Sequence, residues 1–121
     1  MRLDLIVNSM VNSGIKNKCI SVKNETSWRS ILGIEDLVTA IDAILHERPE
    51  SGIYNVASES ATIGEIGRRI STVLGVPLEF ESGEGTYNFQ ISTSKLEEHT
   101  TWSPTQTIEV ISKSICKGLS E

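Results

Sequence analysis

Two tyrosines, two histidines, two cysteines and two glycine pairs are the groups in this 121-residue sequence whose types invite a chemical reading. Gly64-x-x-Gly67 and Gly83-x-Gly85 resemble fragments of a phosphate-cradling turn, which needs glycines just ahead of a helix N-terminus. The first pair falls inside a helical pattern, and the second lacks the helix with its third glycine. Tyr54 and Tyr87 are followed four residues on by Ser58 and Ile91, so neither phenol has a lysine at that spacing to lower its pKa. His46 and His99 lie far apart on exposed helical faces and form neither a metal cluster nor a Ser-His-Asp arrangement. Cys19 and Cys116 are a single distant pair without metal-ligand spacing, read as half-buried, reduced thiols. Lys95 reads as an exposed helix-start lysine. Trp28 and Trp102 have the faces to stack on a base or sugar, although packing is their commoner use.

Composition narrows the classes. The 38% hydrophobic residues and nine glycines together give about 45% apolar residues, an ordinary globular level. A single domain over 1–121 is expected. Eleven basic against sixteen acidic residues leave a net charge of −5, which disfavours a nucleic-acid partner. No apolar run approaches the roughly 20 residues that span a bilayer, and no signal peptide opens the sequence. A cytoplasmic location without membrane attachment is the expectation.

The elements that must position these residues follow from periodicity. Leu3, Ile6, Val7, Met10 and Val11 mark one face of a helix reaching Ile15 and ended by Lys16-Asn17-Lys18. Cys19–Val22 alternates like a short strand, and Ser30–Ile34 reads as a short buried run. From Glu35, the residues Leu37, Val38, Ile41, Ile44 and Leu45 share a helical face, with Glu35 and Asp36 in a first turn that favours acidic side chains. Arg48–Gly52 breaks that helix, and Ile53–Val56 reads as a strand. Thr62 and Glu65 form a capping box for a helix carrying Ile66, Ile70, Val73 and Leu74, stopped by Gly75. Pro77–Phe80 reads as a strand, Ser82–Tyr87 as a loop, and helices are expected over Ser94–His99 and from about Thr107 to Leu119. The content is α/β, in an α+β-like small domain with several helices and too few strands for a doubly wound sheet.

Five blocks in order carry a resemblance: RLDLIVNSMV from Arg2, WRSILGIEDLVTAI from Trp28, GIYNVASESATIGEIGRRI from Gly52, YNFQISTSKLE from Tyr87 and WSPTQTIEVI from Trp102. Together they resemble the C-terminal, substrate-binding half of the NAD-dependent epimerase/dehydratase family, the extended short-chain dehydrogenases that act on nucleotide sugars. The resemblance implies that part of the fold without the complete Rossmann sheet. It also implies a missing N-terminal half, which in the family brings the glycine-rich turn for NAD or NADP and a Tyr-x-x-x-Lys pair for proton transfer. No cofactor site and no catalytic residue are therefore expected in this chain.

Carried over residue by residue, the resemblance gives Asn8 and Arg29 as contacts to the diphosphate of a nucleotide sugar, a role that suits a guanidinium fork. Their alternatives are an exposed helix amide and a surface arginine stacked on Trp28. Asp36 matches the acidic residue that opens the next helix and reads as a capping carboxylate. Two positions depart from the family: Gly33 stands where histidine is common, and Tyr87 stands near a second phosphate-binding arginine. Tyr87 and Asn88 are the substitute contacts. The expected ligand is a nucleotide-diphosphate sugar. The alternative is a non-catalytic structural or interaction module.

A rival reading takes Thr62–Val76 as the first helix of a helix-turn-helix, but the strand-like, acidic Pro77–Phe80 leaves no recognition helix. Without a preceding segment to cover the first helix, the chain is expected to form a homodimer or to associate with a cofactor-domain protein. The competing outcome is that this helix folds over its own short strands.

Overall fold

The computed structural model describes residues 2, 5–83 and 85–120. Leu3, assigned above to the first helix, lies outside them. Among the described residues the order is α1 (Ile6–Asn17), β1 (Ile20–Lys23), β2 (Trp28–Ile31), α2 (Ile34–Glu47), β3 (Glu59–Thr62), α3 (Ile63–Leu74), β4 (Leu78–Glu81), α4 (Ser94–His99) and α5 (Ile108–Ser120). The strands form two small sheets. β1 and β4 are parallel, with Ile20 opposite Leu78, while β2 and β3 are antiparallel, with Trp28 opposite Thr62. The architecture is α/β in content, with no complete Rossmann sheet among the described residues.

The main core lies where α1, α3 and α5 pack on one another and on β1. α1 contributes Val7, Met10 and Val11, all buried, and Ile6 is half-buried. This corrects the expectation of an uncovered first helix, because the stripe is covered within its own chain. Lys18, in the left-handed conformation, ends α1. α3 behaves as its sequence dictates. Thr62 Oγ1 accepts from Glu65 N at 3.3 Å, Ile66 and Ile70 have no exposed surface, and Gly75 closes the helix at φ 66°. The helix also comes unusually near the strands. A Cβ at Gly67 would stand 2.7 Å from Val22 Cγ2 and 3.3 Å from Leu78 Cδ1.

Three expectations need correction. Ile53–Val56 has strand-forming residues but forms no strand; the strand is Glu59–Thr62, whose polar sequence hides it. The run Ser30–Ile34 is only partly a strand, since β2 spans Trp28–Ile31 while Leu32 and Ile34 are exposed and Gly33 is the N-cap of α2. The expected single face of α2 is divided. Ala40, with Ala43 and Ile44, packs into a second cluster with Leu96 and Trp102, whereas Val38, Ile41 and Leu45 face solvent.

Asp36 ties these parts together. It has no exposed surface, and it does not cap α2 as expected. Its Oδ2 accepts from Ser58 Oγ at 2.5 Å and Gln106 N at 3.0 Å, and its Oδ1 from Thr105 N at 2.9 Å and Thr105 Oγ1 at 3.1 Å. Ser58 Oγ in turn accepts from Gly33 N at 2.8 Å, so α2 is capped at one remove. A second junction joins β3, α3 and α5. Arg69 donates to Glu109 through Nε and Nη2, both at 2.6 Å, and pairs with Glu59, which also accepts from Ile108 N at 3.2 Å.

Both junctions make stability acid-sensitive. Burial pushes the Asp36 carboxyl up, but the bonds from Ser58, Thr105 and Gln106 together hold it below its ordinary value. The Arg69 hydrogen bonds bring Glu109 down from 4.5 to about 2. Folded carboxyls that titrate below their unfolded values contribute stability above the unfolded pKa, and that contribution is lost as pH falls through the folded pKa. Denaturation midpoints should therefore decline from about pH 4.5 toward pH 2. Asp36→Ala leaves the part-buried donors of Ser58, Thr105 and Gln106 without their acceptor, so urea unfolding at neutral pH should show a loss of about 2–4 kcal/mol.

Candidate functional site

Arg29 lies on β2, where its neighbours come from the loop after β4. The stretch 88–91 runs along the edge of β2: Phe89 N donates to Trp28 O at 2.9 Å, Trp28 N to Asn88 Oδ1 at 3.1 Å, and Ile91 N to Ser30 Oγ at 3.0 Å. This pairing puts the Tyr87 ring beneath the guanidinium, with Cζ 4.5 Å from the ring centroid. Arg29 Nη1 donates to Trp28 O at 2.7 Å and Tyr87 O at 2.6 Å, and Nη2 to Thr86 Oγ1 at 3.5 Å. Among the described residues, Nε–H and one Nη2–H have no protein acceptor. The expected stacking of Arg29 on Trp28 is thus replaced by stacking on Tyr87, and Trp28 contributes its carbonyl instead.

A hollow of about 300 Å³ opens beside Arg29, lined by Lys23, Ser9 and Ser21 over an apolar floor that includes Ile6 and Met10. Lys23 is the site residue that the sequence reading missed. It supplies a second cation beside Arg29 and pairs with Glu81 at 3.5 Å. Its signal was weak, because a lysine closing a short strand looks like any exposed edge residue.

The structure brings Arg29, Tyr87 and Asn88 together and leaves Asn8 apart. Asn8 is half-buried on α1, donates to Arg2 O at 2.8 Å, and lines a separate hollow of about 280 Å³ with Leu32 and Ile111. Ile6 borders both hollows, so they are neighbours. Gly33, the other departure from the family pattern, packs tightly, since a Cβ there would stand 3.0 Å from Gln106.

The remaining chemical candidates take structural places. Trp102 is buried in the second cluster, with Nε1 donating to Thr39 Oγ1 at 3.0 Å. His46 is exposed beside Asp42, and His99 packs edge-on against Tyr54. Lys95 is exposed as expected, yet its Nζ bonds Ile53 O at 2.9 Å and lies 4.6 Å from the Tyr54 ring centroid. The Tyr54 hydroxyl donates to Glu50 O. Cys19 and Cys116 are both half-buried. No group of three metal-ligating side chains occurs among the described residues, and no helix among them is long and apolar enough to cross a membrane.

The two glycine pairs have these surroundings. Gly64 donates to Glu25 O at 2.9 Å, and a Cβ there would stand 3.0 Å from the same residue. Gly67 abuts Val22, and Gly83 and Gly85 wrap the Asn24 side chain, whose Oδ1 accepts from Gly85 N at 3.0 Å.

The five helices and two small sheets among the described residues, in this order, are similar to one part of the fold of solved nucleotide-sugar dehydratases and epimerases. No family model matches the sequence, and no curated protein matches it. Among solved structures, dTDP-glucose 4,6-dehydratase from Bacillus anthracis in complex with NAD superposes with a TM-score of 0.79 at 21% identity, over 99% of this chain and 40% of that one. RMD from Pseudomonas aeruginosa complexed with NADPH gives 0.76 at 20% identity, over 97% and 43%. UDP-glucose 4-epimerase from Bifidobacterium longum in complex with NAD+ and UDP gives 0.77 at 16% identity, over 98% and 40%. The chain therefore spans about 40% of the length of the solved structures it matches, and at these identities the likeness is one of fold.

Arg29 is as much a tether as a cation, and the two roles separate experimentally. Arg29→Lys keeps the charge but loses the planar fork that holds the carbonyls of Trp28 and Tyr87. The Phe89 amide should then exchange faster with solvent, while global unfolding changes by about 1 kcal/mol or less.

Proposed function

We propose that this chain is the nucleotide-sugar-binding segment of an epimerase/dehydratase-type protein, without a cofactor domain or catalytic tyrosine–lysine pair of its own. The observation that carries the reading is the edge of Arg29 that has no acceptor among the described residues, held over Tyr87 beside a hollow with a second cation. Two donors on one planar group suit the oxygens of a phosphate. Lys23 adds a second charge at the same hollow, although the family pattern places its other arginine near Tyr87. The fold likeness supports the same reading, because the matched proteins are named for dTDP-glucose and UDP-glucose.

In this reading the diphosphate sits at Arg29 and Lys23, flanked by Tyr87 and Asn88. The ligand extends past Ile6 toward Asn8 in the neighbouring hollow. The apolar floor holds the ligand without reacting with it. Proton and hydride transfer would belong to a partner that carries NAD or NADP, and the cytoplasm is the compartment proposed for both. A second reading is a purely structural module that pairs with itself or completes another subunit. The exposed side of α2 favours it.

Thermal melting with UDP-glucose and dTDP-glucose separates the two. The nucleotide-sugar reading expects a rise in Tm for the parent chain and none for Arg29→Ala. A flat response of the parent across such nucleotides leaves the structural module. Calorimetric titration with NAD and NADP should show no heat of binding at micromolar concentrations, and saturable binding of either would overturn the division of labour.

A further inference from the structure

The two cations beside the hollow stand on different sheets. Lys23 closes β1 and Arg29 lies on β2, and among the described residues no ladder joins the β1–β4 sheet to the β2–β3 sheet. Their spacing is therefore set by what crosses between the sheets. Two crossings do this. The first is the turn 24–27, which leads from β1 to β2. The second leaves β4 at Glu81 and arrives at Tyr87, whose ring lies under the Arg29 guanidinium.

Asn24 joins the two crossings. Its Oδ1 accepts from Gly85 N at 3.0 Å, 61 residues along the chain. Gly83 fits so closely against Asn24 that a Cβ there would stand 2.5 Å from Oδ1 and 3.4 Å from the backbone nitrogen. Gly85 holds φ 82°, a left-handed conformation that glycine takes at little cost. Asn24 is itself left-handed, at φ 57°, where asparagine is one of the few side chains tolerated. Ordinarily such an asparagine serves its own turn. Here backbone groups meet the needs of the turn. Ser27 N donates to Asn24 O at 3.1 Å, while Ile63 N and Gly64 N, at the start of α3, donate to Ser27 O and Glu25 O at 2.8 and 2.9 Å. The carboxamide oxygen is left for the other crossing. Ser27 Oγ adds a second tie by donating to Thr86 O at 3.3 Å.

We infer that Asn24 is a positioning residue of the Arg29 site: by clasping Gly83 and Gly85 it fixes the crossing that carries Tyr87, and so sets how tightly Lys23 and Arg29 together hold a phosphate-bearing ligand. The ligand half of this rests on the nucleotide-sugar reading, whereas the clasp rests on the geometry around Asn24 alone. The second crossing is held at its start by β4 and at its end by Arg29, which donates to Tyr87 O at 2.6 Å. A segment pinned at its middle as well has less freedom to lose when a ligand arrives. Asn24 does this as a neutral amide. A carboxylate would accept the same bond and yet set a negative charge next to Lys23, which already pairs with Glu81 at 3.5 Å.

Two variants open the clasp from opposite sides. Asn24→Gly keeps the left-handed backbone and removes the acceptor. Gly83→Ala leaves Asn24 in place and drives a methyl against its Oδ1; Gly83 is not left-handed, so alanine brings no backbone strain of its own. Amide exchange is read first, without ligand. In both variants Gly85 and Phe89 should exchange about tenfold faster than in the parent or more, with Tm kept within about 3 °C. Asn24→Asp, which restores an acceptor, should return Gly85 to the parent rate. Calorimetry with UDP-glucose should then show Kd raised about tenfold in each single variant and no further in the double, because the methyl then meets only the backbone nitrogen at ordinary contact distance. Parent-like exchange at Gly85 and Phe89 in both single variants overturns the inference. So does an unchanged Kd once those amides have loosened, or losses that add in the double variant. A larger fall in Tm also overturns it, since Asn24 would then support the whole fold. If the parent itself binds no UDP-glucose, the nucleotide-sugar reading falls, and the exchange rates alone decide whether Asn24 positions Tyr87.

Discussion

A carboxylate with no exposed surface has to be answered by donors, and the answer to Asp36 organises half of this molecule. Taking an ionised carboxylate out of water costs several kcal/mol unless its lone pairs are filled. Here they are filled by Ser58, Thr105 and Gln106, which lie 22, 69 and 70 residues away in the chain. Satisfying one side chain therefore fixes the start of α2, the approach to β3 and the approach to α5 in a single geometry. Ser58 passes the constraint on, donating to Asp36 and accepting from Gly33 N at the α2 N-cap. The same approach to β3 positions β2, its antiparallel partner, and β2 carries Arg29. The placement of Arg29 thus depends on a residue that does not touch it.

What could be read from the sequence follows the range of the interactions involved. α3 was legible almost to the residue, because its start, stripe and stop are local: Thr62 with Glu65, then Ile66 and Ile70, then Gly75. α1 was legible as an element, but its covering was not, since the covering comes from α3 and α5 far along the chain. β3 was missed because Glu-Ser-Ala-Thr buries one residue, Ala61, and is a strand only through its pairing with β2. Asp36 was assigned a local capping role for the same reason, as its real partners are remote. Ile53–Val56 failed the opposite way. Its local signal is a strand's, but it pairs with no ladder among the described residues.

The candidate site shows the same division. Arg29 was found through the family pattern, and Tyr87 and Asn88 as substitutes for a missing arginine. Their union needed the backbone pairing of 88–91 with β2, which no local pattern announces. Lys23 became part of the site only because β1 and β2 place it beside Arg29 across an open hollow. A cation held between a carbonyl pair and an aromatic face is preorganised, which lowers the cost of ordering it around an anion. The fold contributes that preorganisation.

The two apolar clusters are unequal, and this bears on how such a segment behaves alone. Eleven buried residues make the main core, whereas the second cluster has three, Ala40, Leu96 and Trp102, among the described residues. Free energies of local opening track buried apolar contact, so the α2–α4 side should open at lower cost than the α1–α3–α5 side. Arg29 belongs to the better-packed side, through β2 and the Ile31 it shares with the main core. The exposed stripe belongs to the thinner one. Asp36 spans the two, and its four hydrogen bonds stand in for hydrophobic contact that the second cluster lacks. A carboxylate junction is directional where apolar contact is not, so it holds α2 in register while one side of that helix is still uncovered. The geometry around Arg29 is thereby kept apart from whether the other side is covered or bare.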